Sequence, residues 1–206
     1  MTDRIPVNPG TVEWCGDNPG IYLKQDPEGD WSSLAVYFRV TLSPHGRGHI
    51  MLLLEQPDSA AGFPDANNLC ITDNDALTDY LLDDFIRYFP TFRGRAGIDG
   101  MSRLPMKSRR CEGDMKSVYR ELMSADGVEC CLEWRRLGEP FAVEVTPKDC
   151  ATGAHDMYSV FFEAGDASIS VNGVSFDGRV TDRLFFGQTM STAFLAVSET
   201  WVRPRS

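Results

Sequence analysis

Tyr119-Arg120-Glu121-Leu122-Met123-Ser124-Ala125-Asp126-Gly127-Val128-Glu129-Cys130-Cys131-Leu132-Glu133-Trp134 decides the fold class. Asp-Gly between two alternating runs is a strong short-range signal for a β-hairpin. Folding the stretch about Asp126-Gly127 sets Ala125 opposite Val128, Met123 opposite Cys130, Glu121 opposite Leu132 and Tyr119 opposite Trp134. These eight residues then share one face, apolar except for Glu121. Arg120, Leu122, Ser124, Glu129, Cys131, Glu133 and Arg135 form a face that suits water. Side chains alternate along a strand, so a register shift of one residue would exchange the two faces.

The same reading extends outward in both directions. Asn172-Gly173 predicts a second hairpin with Ile169, Val171, Val174 and Phe176 on one face and Ser168, Ser170, Ser175 and Asp177 on the other. Leu34, Val36, Phe38, Val40 and Leu42 alternate with Ala35, Tyr37, Arg39 and Thr41, and a Pro/Gly loop leads from them to Ile50–Glu55. Leu69–Thr72, Phe141–Val145, Met157–Glu163 and Ala193–Val202 read as further strands. One helix is expected from Asp75 to Phe89, with Leu77, Leu81, Phe85 and Tyr88 as its apolar stripe, Asp73 or Asp75 as its cap and Pro90 as its stop.

Together these features predict a mainly β (α+β) chain: a curled antiparallel sheet or barrel of about ten short strands with one substantial helix. A two-sheet sandwich is the alternative. Residues 1–206 are expected to form a single domain. Residues 1–30, with their triplets Asn8-Pro9-Gly10 and Asn18-Pro19-Gly20, are expected to be an irregular Pro/Gly-rich leader pinned by Trp14 and Tyr22.

Composition narrows the possible partners. A 42% hydrophobic and 24% charged chain has the usage of a folded domain rather than a disordered one. The formal net charge of −10 opposes a phosphate backbone, so nucleic acid is not an expected partner. Ile50 to Leu54, the most apolar stretch, is too short to span a bilayer, and Met1–Pro6 lack the apolar core of a signal peptide. Cys15, Cys70, Cys111, Cys130, Cys131 and Cys150 include no C-x-x-C pair and read as free thiols in a reducing, cytoplasmic setting.

Chemistry is harder to read. Glu121 falls on the apolar face of its hairpin. Glu199 does the same on the last strand, with Ala193, Leu195, Val197 and Trp201 expected as its face-mates. A carboxylate in such company has its charged form destabilised, which makes the two residues the candidate acid–base groups if they share one cavity. Arg87 to Arg110 holds seven basic residues and one acid, a local charge of +6 that leaves −16 for the remainder. Arg95, Arg103, Lys107 and Arg109 are thus candidate anion ligands at a cavity mouth, with Trp134 on an inner wall. The competing reading is that these arginines neutralise the nearby run Asp73, Asp75, Asp79, Asp83 and Asp84.

No phosphate loop, dinucleotide fingerprint, nucleophile elbow or H-E-x-x-H motif occurs, so no cofactor or metal is expected. The leading functional expectation is a small-molecule-binding protein with an internal apolar pocket for an anionic ligand. An enzyme of the lyase, isomerase or hydrolase type, and a homodimeric interaction module without a pocket, are the alternatives.

Overall fold

Ser33–Leu42 forms a strand in which Leu34, Val36 and Phe38 are as buried as Ala35 and Tyr37, so neither face of its first half meets water. A strand in this position needs cover on both sides, and the fold supplies two different covers. The computed structural model describes residues 9–185 and 187–205.

The chain begins with β1 (Gly10–Asp17), β2 (Gly20–Leu23), β3 (Ser33–Leu42), β4 (Gly48–Leu54) and β5 (Asn68–Thr72). A helical crossover follows: α1 (Asp75–Asp84), a 3-10 turn (Ile86–Tyr88) and α2 (Ala96–Gly100). Next come β6 (Ser102–Pro105), β7 (Ser108–Gly113), β8 (Val118–Ala125), β9 (Val128–Leu137) and β10 (Phe141–Val145). The long β11 (Asp156–Val171), β12 (Val174–Ser175), β13 (Asp182–Phe185), β14 (Gln188–Ser191) and β15 (Ala193–Pro204) complete the order.

One large sheet runs β6-β5-β4-β3-β1-β15-β11-β9-β8-β7, rather than the two facing sheets of a sandwich, and β13–β14 forms a separate ribbon. Its ladders are antiparallel except for β5–β6. A parallel pair requires a long crossover, and residues 73–101, which carry both helices, provide it. The ends of the sheet meet at Met106 and Lys107. Met106 N–H donates to Thr72 O at the end of β5, and Lys107 N–H donates to Ser124 O on β8. Two residues therefore step from one end of the sheet to the other, which is possible only because the sheet curls round.

The inner face of the curl is filled by side chains. Met51, Leu53, Leu69 and Ile71 pack with Met123, Leu132, Trp134 and Ile169 in one cluster. The outer face of β3–β5 carries Leu34, Val36, Phe38, Ile50, Leu52 and Cys70, and α1 covers it with Leu77 and Leu81, joined by Phe85 just past its end. Burying an aliphatic side chain of this size contributes about 1.5–3 kcal/mol, so the two cores together dominate the stability.

The β8–β9 register is the expected one, from Tyr119 opposite Trp134 to Ala125 opposite Val128. Several other expectations are corrected. Gly10–Asp17 and Gly20–Leu23 are strands within the sheet, not an irregular leader, and Trp14 and Tyr22 are core residues of those strands. The first triplet's Asn8 lies outside the described residues. Met157–Glu163 and the first arm of the Asn172-Gly173 hairpin are one continuous strand, β11. Val174 is exposed, although Phe176 is buried as expected. Helix α1 stops at Asp84, and the 3-10 turn after it changes the phase, which leaves Tyr88 at the surface.

The cap of α1 is Asn74, not Asp73 or Asp75. Its Oδ1 accepts from Leu77 N–H at 3.0 Å, while its Nδ2 donates to His45 O and Arg47 O and ties the helix to the β3–β4 loop. Asp73 is engaged elsewhere, accepting from His49 N–H at 2.6 Å. All six cysteines are free, and Cys70, Cys130 and Cys150 are buried. Among the described residues no helix is long and apolar enough to cross a membrane. Asn74→Ala is expected to destabilise the fold by about 1–2 kcal/mol, since it removes a cap and a tether together. A urea midpoint unchanged from wild type would refute that role.

Candidate functional site

A β-bulge sets the site. Between Tyr158 and Val160 of β11 the partner residues on β15 jump from Thr200 to Val197, so β15 carries one extra residue. Ser198 takes it up with φ of 54°, and its N–H donates to Asp17 Oδ1 at 2.9 Å. An extra residue in a strand reverses the alternation beyond it. Ala193 and Leu195 therefore belong to the inner core, whereas Trp201 belongs with Phe194 and Ala196 to the outer one. The expected face-mates of Glu199 are corrected accordingly: it shares the outer side with Trp201, not with Ala193 and Leu195.

Glu199 lies at the wall of a cavity of about 720 Å³ on that outer side. Met157 and Phe161 of β11, Phe194 and Trp201 of β15, and Tyr22 of β2 supply its apolar lining. The segment Glu144–Ala151, the Phe89–Thr91 corner and the β13–β14 ribbon surround its mouth. Its volume and lining fit a small-molecule site. The cavity lies between the sheet and its outer cover; the inside of the curl, where the sequence placed a pocket, is packed core.

Glu199 is 3% exposed. Its Oε1 accepts from Trp201 Nε1 at 2.6 Å and from Asn18 Nδ2 at 3.3 Å. Burial pushes its pKa from the ordinary 4.5 up to about 7 against those two hydrogen bonds, with the nearby Asp17 charge adding to the rise. The carboxyl is therefore poised between its two forms at neutral pH.

Arg183, on β13, is the second polar feature of this cavity. Its guanidinium lies 4.2 Å from the ring centre of Phe185, 5.0 Å from that of Tyr22 and 5.1 Å from that of Phe194. Its Nε is buried without a hydrogen bond, and it forms no ion pair among the described residues. Burial lowers its pKa, yet an arginine side chain keeps its charge at any physiological pH. Cation–π contacts offset part of the lost hydration.

Glu121 is not part of this cavity. It is 1% exposed in the inner core, where Tyr119 Oη donates to its Oε1 at 2.5 Å and Arg39 Nη1 approaches to 3.8 Å. Arg39 is itself bonded to Asp17 at 2.8 Å. Burial raises the Glu121 pKa and outweighs Tyr119, Arg39 and Arg109. The two candidate carboxylates thus sit on opposite faces of one sheet.

The expected anion ligands also lie elsewhere. Arg95 bonds both carboxylate oxygens of Asp58, at 2.7 and 2.8 Å. Arg103 donates to Asp79 at 2.7 Å and stands 3.7 Å from Asp75; Lys107 pairs with Asp126. Arg87, from the same basic segment, pairs with Asp83 and Asp99. Arg87 and Arg103 thus pair with the acidic run as the competing reading expected, whereas Arg95 and Lys107 are neutralised by aspartates outside it. Arg109 is exposed on β7, with its charge felt at Glu121 and Tyr37. Trp134 is fully buried in the inner core and donates from Nε1 to Gly20 O at 3.0 Å. Arg95, Arg103, Lys107, Arg109 and Trp134 are all outside the lining of the cavity.

The folded pKa of Glu199 lies above its ordinary value, so folding favours the protonated form. The contribution is complete below about pH 4.5 and is lost as pH rises through 7, at a cost of roughly 3 kcal/mol. Glu199→Gln, neutral throughout, is expected to gain stability relative to wild type between about pH 5 and pH 8. Urea unfolding of both proteins at the two pH values checks this, and parallel pH dependences would show that Glu199 does not titrate in the folded state.

Comparison with known proteins returns no matching family model, no matching curated protein and no matching solved structure.

Proposed function

We propose that the protein binds a small molecule with an apolar body and an anionic group, and that the anion sits on Arg183 in the cavity beside β15. The observation that carries this reading is a charged guanidinium at the wall of an apolar cavity with no carboxylate paired to it among the described residues. A half-buried cation without a counter-ion has lost part of its hydration, and a ligand carboxylate or phosphate would complete it through charge-assisted hydrogen bonds. The aromatic rings that hold Arg183 also offer surface for the ligand's body.

The net charge of −10 opposes an approaching anion at long range. Salt screens that field beyond about 8–10 Å, so the adjacent guanidinium decides the balance inside the cavity. Glu144 and Asp149 at the mouth are solvent-exposed and correspondingly weak. Acid–base catalysis by the carboxylates named from the sequence has less support, because Glu121 and Glu199 do not converge on one space.

Titration with octanoate, followed by calorimetry, tests the proposal. Saturable binding at one site per chain is expected, and Arg183→Met should weaken it about tenfold or more while preserving the fold. A wild type that takes up no octanoate, or an Arg183→Met variant that binds it equally well, would remove the basis of the reading.

A further inference from the structure

The cavity has a second unmet demand, opposite in sign to that of Arg183. Both hydrogen bonds donated to Glu199 end on Oε1; Oε2 receives none among the described residues. Asn18, only 7% exposed, spends its Nδ2 on Glu199, and its Oδ1 is buried without a donor. Among the described residues, Asn18 Oδ1 is thus a buried acceptor without a donor, and Glu199 Oε2, beside it on the same cavity, accepts no hydrogen bond. Turning the Asn18 amide over does not cure this. It would set Oδ1 against Glu199 Oε1 and leave Nδ2 without an acceptor. A buried acceptor left open costs about 1–3 kcal/mol, so the arrangement favours a ligand that brings donors.

Arg183 does not meet this demand, since it makes no ion pair with Glu199. Tyr22 lines the same cavity, and the charge of each is felt at its hydroxyl. The cavity therefore holds a cation and a carboxyl group, apart from one another, with apolar walls around them.

Resting on the reading of the cavity given above, we infer that the ligand also carries a protonated amine that donates to Glu199 Oε2 and Asn18 Oδ1. The ligand class is then a zwitterionic amphiphile, with an anionic group on Arg183, an ammonium on the Asn18–Glu199 pair and an apolar body between them. An ammonium group has three donors, enough for both open acceptors and one more. It also stabilises the ionised form of Glu199, so a proton held by the carboxyl in the empty cavity leaves to solvent when the amine docks. The other charged or titratable groups around Glu199 are Asp17 of β1, Tyr22 of β2, Arg183 of β13, and Glu144, Asp149 and Cys150 at the mouth. None of these places a second cation next to Glu199.

The test is calorimetric titration of the whole chain with octanoate, octylamine and ω-aminoalkanoates of graded length up to aminooctanoate. The best-fitting aminoalkanoate is expected to bind roughly tenfold or more tightly than the alkanoate of equal length. Glu199→Gln should erase that advantage and leave alkanoate binding intact, and Asn18→Ala should reduce it. Binding to wild type near pH 7 should release protons, visible as heats that differ between buffers of different ionisation enthalpy; Glu199→Gln should show no such difference.

An amino group that adds nothing at any chain length, or an advantage that survives Glu199→Gln, overturns the inference while leaving the anion site on Arg183 standing. Octylamine binding that depends on Glu199, with no binding of octanoate, does the reverse: it sinks the anion site and keeps the amine site. Failure of all three probe types removes both.

Discussion

The central strands are deprived of water on both faces, and most of the architecture answers that condition. Leu34, Val36 and Phe38 need one apolar cover while Ala35 and Tyr37 need another. Curling the sheet upon itself covers the inner face with the sheet's own far strands. The outer face then requires a separate layer, which the single parallel pairing, β5 with β6, makes available: its crossover must leave the sheet plane and return, and α1 is laid across the exposed side on the way. The helix is therefore part of the solution to strand burial, and its cap, Asn74, is anchored to the loop of the hairpin it covers.

The cavity arises where these two covers stop matching. Helix α1 and the Phe89–Thr91 corner reach only part of the outer face, and the segment Glu144–Ala151 with the β13–β14 ribbon approaches from the other side. A bulge at Ser198 then turns a carboxyl group into the remaining space instead of the inner core or the solvent. Asp17 holds that bulge through the Ser198 N–H, and its other oxygen binds Arg39, which leans towards Glu121. One half-buried carboxylate, Asp17 of β1, thus stands between two buried ones on opposite faces and raises the pKa of each.

The legible parts of the sequence were those governed by local pairing. Asp126-Gly127 determines its register because the turn joins residues adjacent in sequence, and Tyr119 opposite Trp134 follows by counting. The depth of Glu199 was legible for the same reason, from apolar neighbours two residues away, but its side of the sheet was not. The bulge depends on Asp17, far away in the chain, and Ser198 gives no turn signal of its own. The first strands were hidden by their turns: Asn18-Pro19-Gly20 does mark a corner, but the segments on either side pair with β3 and β15, whose positions no local pattern reveals. Arg183 escaped notice because it stands in a polar stretch, Thr181-Asp182-Arg183, and its rings come from β2, β13 and β15. A guanidinium followed by Leu184-Phe185-Phe186 was the available clue. The basic run from Arg87 to Arg110 was conspicuous by count, but Arg87, Arg95, Arg103 and Lys107 are all paired with aspartates.

The position of β1 has a consequence for the order in which this sheet can be assembled. β1 lies between β3, its near neighbour in the chain, and β15, the last strand of the described residues. On a ribosome, its second edge stays unpaired while everything from Ser33 to Thr192 is being made, and it is closed only when Ala193–Pro204 emerges. Without that strand the sheet falls into two parts, one around β3–β5 and one around β8–β11, joined along the chain through Met106 and Lys107. The bulge, Glu199 and one wall of the cavity all belong to that final strand, so the cavity and the unity of the sheet are completed in the same event.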